Sequence, residues 1–161
     1  MALRLLCPVD MRVDELMSRD IKTIGADESC YAAAMRMAQT HIRHLPVMDS
    51  AGRLVGIVTD RDLRQRLFAP HVFSAIGAIP IERLFKDILV LEVMSAPVVT
   101  VRPGAAVEAA ARLMRDGKLG ALPVLEAGRV VGIITETDIL RQIVKDDAFC
   151  RDIGSVMMSS P

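Results

Sequence analysis

The sequence predicts a mixed α+β protein in which one βαββα unit is used twice. Two observations predict it: long stretches recur in register, and within each copy apolar periodicity switches between helix and strand. Val13-Asp14-Glu15-Leu16-Met17-Ser18 returns as Val90-Leu91-Glu92-Val93-Met94-Ser95, and Leu45-Pro46-Val47 as Leu122-Pro123-Val124. Gly56-Ile57-Val58-Thr59-Asp60-Arg61-Asp62-Leu63 returns as Gly132-Ile133-Ile134-Thr135-Glu136-Thr137-Asp138-Ile139. The offset is 77 at Met17/Met94 and Leu45/Leu122 and 76 at Gly56/Gly132, and the slip falls where Asp49-Ser50-Ala51-Gly52 faces the shorter Glu126-Ala127-Gly128. A duplication that keeps its register outside the turns is a duplicated fold.

Each unit opens with a short apolar segment and reaches Thr23-Ile24 or Thr100-Val101. A helix follows. In the first copy Asp27 or Ser29 can cap it, and Ala33, Ala34, Met37 and Ala38 form its inward face. In the second, Val107, Ala110, Ala111 and Met114 face inward and Gly117 supplies a stop. Two apolar strands come next, Leu45–Met48 with Leu54–Val58 and Leu122–Leu125 with Val130–Ile134, joined by hairpin residues. The last helix starts at Thr59 or Thr135 and carries Leu63 and Leu67, or Ile139, Leu140 and Ile143.

These elements divide the chain into repeat 1 (12–68), a linker (69–89), repeat 2 (90–147) and a tail (148–161). Phe68 to Ile79 reads as loop, and Pro80 suits the first turn of a linker helix. Ile81, Leu84, Phe85, Ile88 and Leu89 share one side of that helix, opposite Glu82, Arg83, Lys86 and Asp87. It lies on its own core or serves a dimer. The tail from Asp152 to Pro161 echoes Val93-Met94-Ser95-Ala96-Pro97, as a frayed terminus, a docked strand or the start of a further unit.

Apolar residues make up 52% of the chain but aromatics only 3%, so the core is built from Ala, Val, Leu, Ile and ten Met. A mean hydropathy of +0.35 predicts apolar surface turned to a partner, and a homodimer is the simplest one. No apolar run reaches the roughly 18 residues of a membrane helix. Leu3 to Val9 is too short for a signal peptide. Twenty acidic and twenty basic residues cancel, which excludes a general nucleic-acid or membrane footprint but leaves room for a local basic pocket. Three Cys without a C-x-x-C pattern indicate no zinc ribbon or disulfide framework and a reducing, cytoplasmic setting.

The most specific chemical signal is Gly-x-x-Thr-x-x-Asp, intact in both copies as Thr59/Asp62 and Thr135/Asp138. Thr followed three residues later by an acid is a helix capping box and needs no ligand. It also stands where a buried strand enters a helix, whose free N–H groups favour phosphate. A carboxylate there can accept two hydrogen bonds from a ribose diol. The second signal is His41-Ile42-Arg43-His44, matched by Lys118-Leu119-Gly120-Ala121. Arg43 and His44 either pair with phosphate oxygens or form a solvated loop. The second copy lacks the basic pair, so two sites would be unequal. His41 and His44, three apart, would share a helical turn, a weak metal pattern without further ligands. Cys30 matches Val107 and reads as a small core residue. No motif argues for catalysis.

The conjunction Val-x-x-x-Met, Thr-Ile/Val, Leu-Pro-Val and Gly-Ile-Val/Ile-Thr-x-x-Asp resembles the CBS domain, and two in tandem resemble the CBS pair, or Bateman module, over roughly residues 12–147. The linker helix is similar to that of stand-alone bacterial members, including those of acetoin utilisation. The resemblance implies two repeats related by a pseudo-twofold axis, with clefts between them that take adenosyl ligands: AMP, ADP, ATP, S-adenosylmethionine or NADH. It implies that Asp62 and Asp138 hold ribose hydroxyls and that Thr59 and Thr135 face phosphate. Thr23-Ile24 and Thr100-Val101 would border the adenine, and Ile42, Pro46, Leu119 and Pro123 would line the base pocket. Gly120-Ala121 replaces a polar pair, so the second site would be empty or accept a less charged ligand. The implied function is a non-catalytic nucleotide sensor read by a partner protein. A ligand-free interaction module is the alternative, and a nucleotide-processing enzyme lacks a nucleophile or metal cluster.

Overall fold

The computed structural model describes residues 11–67 and 81–145. The expected loop from Phe68 to Ile79, Pro80, the Leu3–Val9 segment and the tail from Asp152 lie outside the described residues. Among the described residues the fold is mixed α+β, with six α-helices and two small sheets. Among the described residues the chain forms two compact units, named here by sequence: the inner stretch, Lys22 to Val99, and the outer stretches, up to Ile21 and from Thr100 on.

In the inner unit, β1 (Ile24–Gly25) leads into α2 (Cys30–Thr40), then β2 (His44–Met48), β3 (Leu54–Thr59) and α3 (Asp60–Leu67). Strand β1 pairs parallel to β2, and β2 antiparallel to β3. Of the two cap candidates Ser29 is the one used: its Oγ accepts from Ala32 N–H at 3.2 Å. The β2–β3 turn is held by Asp49, whose Oδ1 accepts from the N–H groups of Ala51 and Arg53 at 2.9 and 2.8 Å. The helix α4 (Ile81–Asp87) lies on this unit's own core, with Phe85 buried among Ile24, Cys30, Ala33, Met37, Leu45, Val47, Val58, Leu63 and Val90.

In the outer unit, α1 (Val13–Leu16) joins α5 (Val107–Gly117), β4 (Ala121–Glu126), β5 (Arg129–Thr135) and α6 (Glu136–Lys145). Val101 pairs parallel with Val124, where Ile24 pairs with Val47 in the inner unit. The hairpin closes on Ala127 and Gly128, both at positive φ (48° and 78°), between the paired Glu126 and Arg129. That is the two-residue turn whose twist matches the strands, and it accounts for the one-residue slip between the copies.

The opening segments are exchanged. Val13 and Met17, from the start of the first sequence repeat, are buried with Val107, Ala110, Met114, Leu122, Val124 and Ile134 of the second. Ser18 and Ile133 trade two backbone hydrogen bonds at 2.9 and 3.0 Å. Val90, in the 3-10 turn Val90–Glu92 that opens the second repeat, is buried in the inner unit, and Ser95 trades two bonds with Ile57 at 2.9 and 3.1 Å.

Three local expectations are corrected. Gly117 is the last residue of α5, and the left-handed stop is Lys118 (φ 53°), as His41 (φ 54°) is for α2. A Cβ on Gly117 would lie 2.9 Å from Leu119 Cγ, so this glycine makes room for the leucine that follows the turn. Ala38 is exposed because it falls just beyond the inward stripe of α2. Leu140 is 59% exposed, since only Ile139 of the α6 apolar residues packs on the outer core.

Candidate functional site

Each unit turns from a strand into a helix at a Thr-x-x-Asp corner, and the two corners are built alike. In the inner unit Asp62 Oδ2 accepts from Thr59 N–H at 2.8 Å and from the Thr59 hydroxyl at 2.7 Å, while Thr59 Oγ1 accepts from Asp62 N–H at 3.1 Å. In the outer unit the three distances at Thr135 and Asp138 are 2.9, 2.7 and 3.3 Å. This is a reciprocal cap that satisfies N–H groups the helix start leaves open. Aspartate closes it because its carboxylate also takes the threonine hydroxyl.

The cap uses one carboxylate oxygen. Among the described residues Asp62 Oδ1 carries no hydrogen bond, and Asp138 Oδ1 stands 3.9 Å from Arg141 Nη1. The free oxygen has the lone pairs to accept a hydroxyl. The Thr59 and Thr135 protons are directed at their Asp partners, so an anion reaching either hydroxyl would compete with the cap.

The chain ahead of β2 and β4 is tied to the same corners. The Arg43 carbonyl accepts from Asp60 N–H at 3.1 Å, and the Gly120 carbonyl accepts from Glu136 N–H at 3.1 Å. His44 stands opposite Thr59 in the sheet, and Ala121 opposite Thr135. Arg43 is exposed and His44 half-buried, whereas Ala121 is buried and carries no charge. The corners thus share a frame and differ in the basic side chains beside it. His41 caps α2 beyond its last turn and His44 starts β2, so the two do not share a helical turn. Among the described residues no group of three His, Cys, Asp or Glu could hold a metal ion.

The remaining candidates lie along the strands. Ile24 and Val101 are core residues, 1% and 7% exposed, and the Val101 N–H and carbonyl are already paired with Pro123 and Leu125. Pro46 and Pro123 are buried in β2 and β4, and Ile42 and Leu119 pack on their unit's core just ahead of those strands. The missing N–H of Pro123 breaks no ladder, because pairing with Val101 begins at the Pro123 carbonyl (3.1 Å).

Thr23 is held through its carbonyl, which accepts from Arg36 Nη1 at 2.7 Å. Arg36 is forked onto Glu28 at 3.2 and 3.0 Å, and Glu28 also accepts from Gly25 N–H at 2.8 Å. Burial opposes ionisation of Glu28, but the Gly25 N–H and the Arg36 guanidinium together hold its carboxyl below the ordinary value. Thr100 has no such brace, because Ala105 and Leu113 stand at the matching places.

Sequence reasoning missed Ser18 and Ser95. Each flanks the outer edge of its unit's second hairpin strand, two residues before the Thr of the corner. The signal was the repeated Met-Ser ahead of each first strand, legible only once the exchange of openings is known.

Known proteins carry the same arrangement. The family model described as CBS domain matches residues 13–69 and 90–145. The chain belongs to the CBS-domain family. A CBS domain-containing protein of Dictyostelium discoideum is 36% identical over 135 residues, 83% of this chain and 91% of that protein. The homoserine O-acetyltransferase of Methanohalobium evestigatum is 35% identical over 132 residues, 81% of this chain but only 24% of the enzyme. Among solved structures, the CBS domain pair of protein MJ0100, in complex with 5′-methylthioadenosine and S-adenosylmethionine, superposes with a TM-score of 0.70 at 27% identity. That match covers 84% of this chain and 97% of that one. MJ1225 of Methanocaldococcus jannaschii, proposed as an archaeal homologue of γ-AMPK, gives 0.74 at 31% identity, over 83% of this chain and 48% of that one. Both CBS copies here therefore sit in a tandem pair of known type. Among the described residues no helix is long and apolar enough to cross a membrane.

Proposed function

We propose that the chain is a non-catalytic regulatory module of the cytoplasm that binds an adenosyl ligand at its Thr-x-x-Asp corners. The observation that carries this reading is the cap that spends one carboxylate oxygen and leaves Oδ1 of Asp62, and of Asp138, for a ribose hydroxyl. The adenosyl compounds named for the MJ0100 pair supply the ligand class. Arg43 and His44 favour a phosphorylated adenosine, AMP, ADP or ATP, at the inner corner. Gly120 and Ala121 favour a less charged one, such as S-adenosylmethionine or 5′-methylthioadenosine, at the outer corner. The proposed likeness of MJ1225 to γ-AMPK makes energy sensing the natural role for the inner corner. A regulatory role also fits the span of the match in longer relatives, where the chain aligns with about a quarter of an acetyltransferase and of an inosine-5′-monophosphate dehydrogenase.

The test is a thermal-shift panel with AMP, ADP, ATP, S-adenosylmethionine, 5′-methylthioadenosine, NADH and GTP. A ligand at 100 times its dissociation constant adds about 2.7 kcal/mol, or roughly 5–10 °C for a chain of this size. A rise with adenosyl ligands alone, removed by Asp62→Ala or Asp138→Ala, supports the reading. No rise with any of them favours a second reading, a ligand-free homodimerisation module. That reading draws on the mutual satisfaction of each Thr and Asp, and on the exposed Leu140 and Val144 of α6.

A further inference from the structure

We infer that the outer unit carries a second binding site, for an apolar α-amino acid, in the cleft beside Thr100. The cleft has a volume of about 1030 Å³ and belongs wholly to the outer unit. Its walls include Thr100, Arg102, Ala105, Ala109, Leu113 and Leu125, and Arg12 and Asp14, paired with each other at 3.1 Å, also line it.

The duplicated sequence says what this place is built to hold. At the matching place in the inner unit, Glu28 and Arg36 form an ion pair at 3.0 Å. The Glu28 carboxylate accepts from Gly25 N–H at 2.8 Å, and the Arg36 cation donates to the Thr23 carbonyl at 2.7 Å. With the offset of 77, Gly25 becomes Arg102, Thr23 becomes Thr100, Glu28 becomes Ala105 and Arg36 becomes Leu113. Both charged side chains are gone, while the two backbone positions they served remain. Among the described residues neither Arg102 N–H nor the Thr100 carbonyl has a protein partner.

A molecule that replaces the lost pair needs a carboxylate next to a cationic N–H group. An α-amino acid carries both on adjacent atoms. Its carboxylate would take Arg102 N–H, with the exposed Arg102 guanidinium reinforcing the charge. Its ammonium would donate to the Thr100 carbonyl. Its side chain would meet apolar surface, since Leu113, 41% exposed, stands where the inner unit has a guanidinium. Apolar side chains beside placed polar groups, here with Arg12, Asp14, Arg102 and Glu126 also in the lining, suit a small polar molecule with an apolar side chain. The inference is independent of adenosyl binding at the corners.

The experiment is ligand-observed NMR on the whole chain with L-leucine as probe. Two controls each lack one charge: 4-methylpentanoate has no ammonium and 3-methylbutylamine no carboxylate. The double variant Ala105→Glu/Leu113→Arg rebuilds the bridge of the inner unit, and Ala109→Leu narrows the cleft from the exposed face of α5. The expected result is saturable binding of L-leucine, at least tenfold weaker binding of both controls, and loss of the signal in each variant. Binding persists in Asp138→Ala, which separates this site from the corner. Circular dichroism establishes that the variants fold, and Ala109→Leu decides the question if the double variant does not. Absence of saturable L-leucine binding, equal binding of the controls, or wild-type binding in a folded variant overturns the inference.

Discussion

The sulfur of Met17 lies against the bare α-carbon of Gly132. A Cβ on Gly132 would clash with Met17 Sδ and come within 3.0 Å of its Cγ and 3.2 Å of the Ser18 carbonyl. Met94 covers Gly56 in the same way, with its Cγ 2.9 Å from the place of a Cβ. Each opening segment is therefore keyed to a glycine in the middle of a strand of the other sequence repeat. A side chain at that glycine would push the segment off the sheet edge.

Gly132→Ala should overpack this contact and lower stability by about 1–3 kcal/mol. Met17→Ala removes a buried side chain and should cost about 2–5 kcal/mol. The two faults share one space, so the double variant should lose less than their sum, with a coupling of about 0.5–3 kcal/mol in a denaturation cycle. Simple additivity would show that the contact does not hold the segment.

Asp62→Ala and Asp138→Ala each remove a reciprocal cap as well as a ligand group. Each should cost about 1 kcal/mol, or about 2–4 °C in melting temperature. Thr59→Ser keeps both the donor and the acceptor of the cap and should stay near wild type in unfolding scans. A cost confined to stability, with adenosyl binding unchanged, would reduce the corner to a cap.

Glu28 is held below its ordinary value near 4.5, so its contribution is present above that pH and lost as pH falls through the lower folded value. The stability difference between wild type and Glu28→Gln should therefore shrink in acid, below about pH 4.5. The pair is about one-third exposed, which screens it and keeps the whole effect within about 1 kcal/mol. Urea titrations of both proteins from pH 3 to pH 7 measure it.

Burial pushes the Cys30 thiol up to about 11, from an ordinary value near 9.0. Its protonated form is preferred in the folded chain, so stability is present below about pH 9 and is lost as pH rises toward 11. Cys30→Val places there the residue found at position 107 and removes the titration. The variant should lose less stability than wild type between these two values in alkaline unfolding scans.

Ala127 sits at φ 48°, where a side chain is strained and where the turn favours asparagine. Ala127→Asn should raise stability by about 0.5–1 kcal/mol, read as a higher urea midpoint with unchanged slope.

Much of the fold was legible because short-range chemistry writes it. Short apolar runs mark β2 to β5, Asp27 and Ser29 mark the start of α2, and Ala127-Gly128 marks a tight hairpin. The corners were legible too, since Thr and Asp three apart at a strand–helix junction can meet only across the first turn. Less local features were misread. Gly117 looked like a stop because glycine tolerates positive φ, yet the chain places Lys118 there and uses Gly117 to clear Leu119. His41 and His44 looked like neighbours on a helix because spacing alone does not reveal that α2 ends at Thr40, ahead of both.

By itself the sequence determined that the fold is duplicated, which elements compose it and which residues form each corner, because these follow from repetition, periodicity and contacts within a few residues. Only the tertiary structure decided that the openings change places. It also decided that Met17 and Met94 pack on strands far along the chain, and that the place of an Arg–Glu bridge in one unit is an open cleft in the other. Those outcomes depend on which surfaces meet after the chain has closed loops of tens of residues. An apolar segment is equally able to bury itself against either copy of a repeated sheet, and shape decides between them.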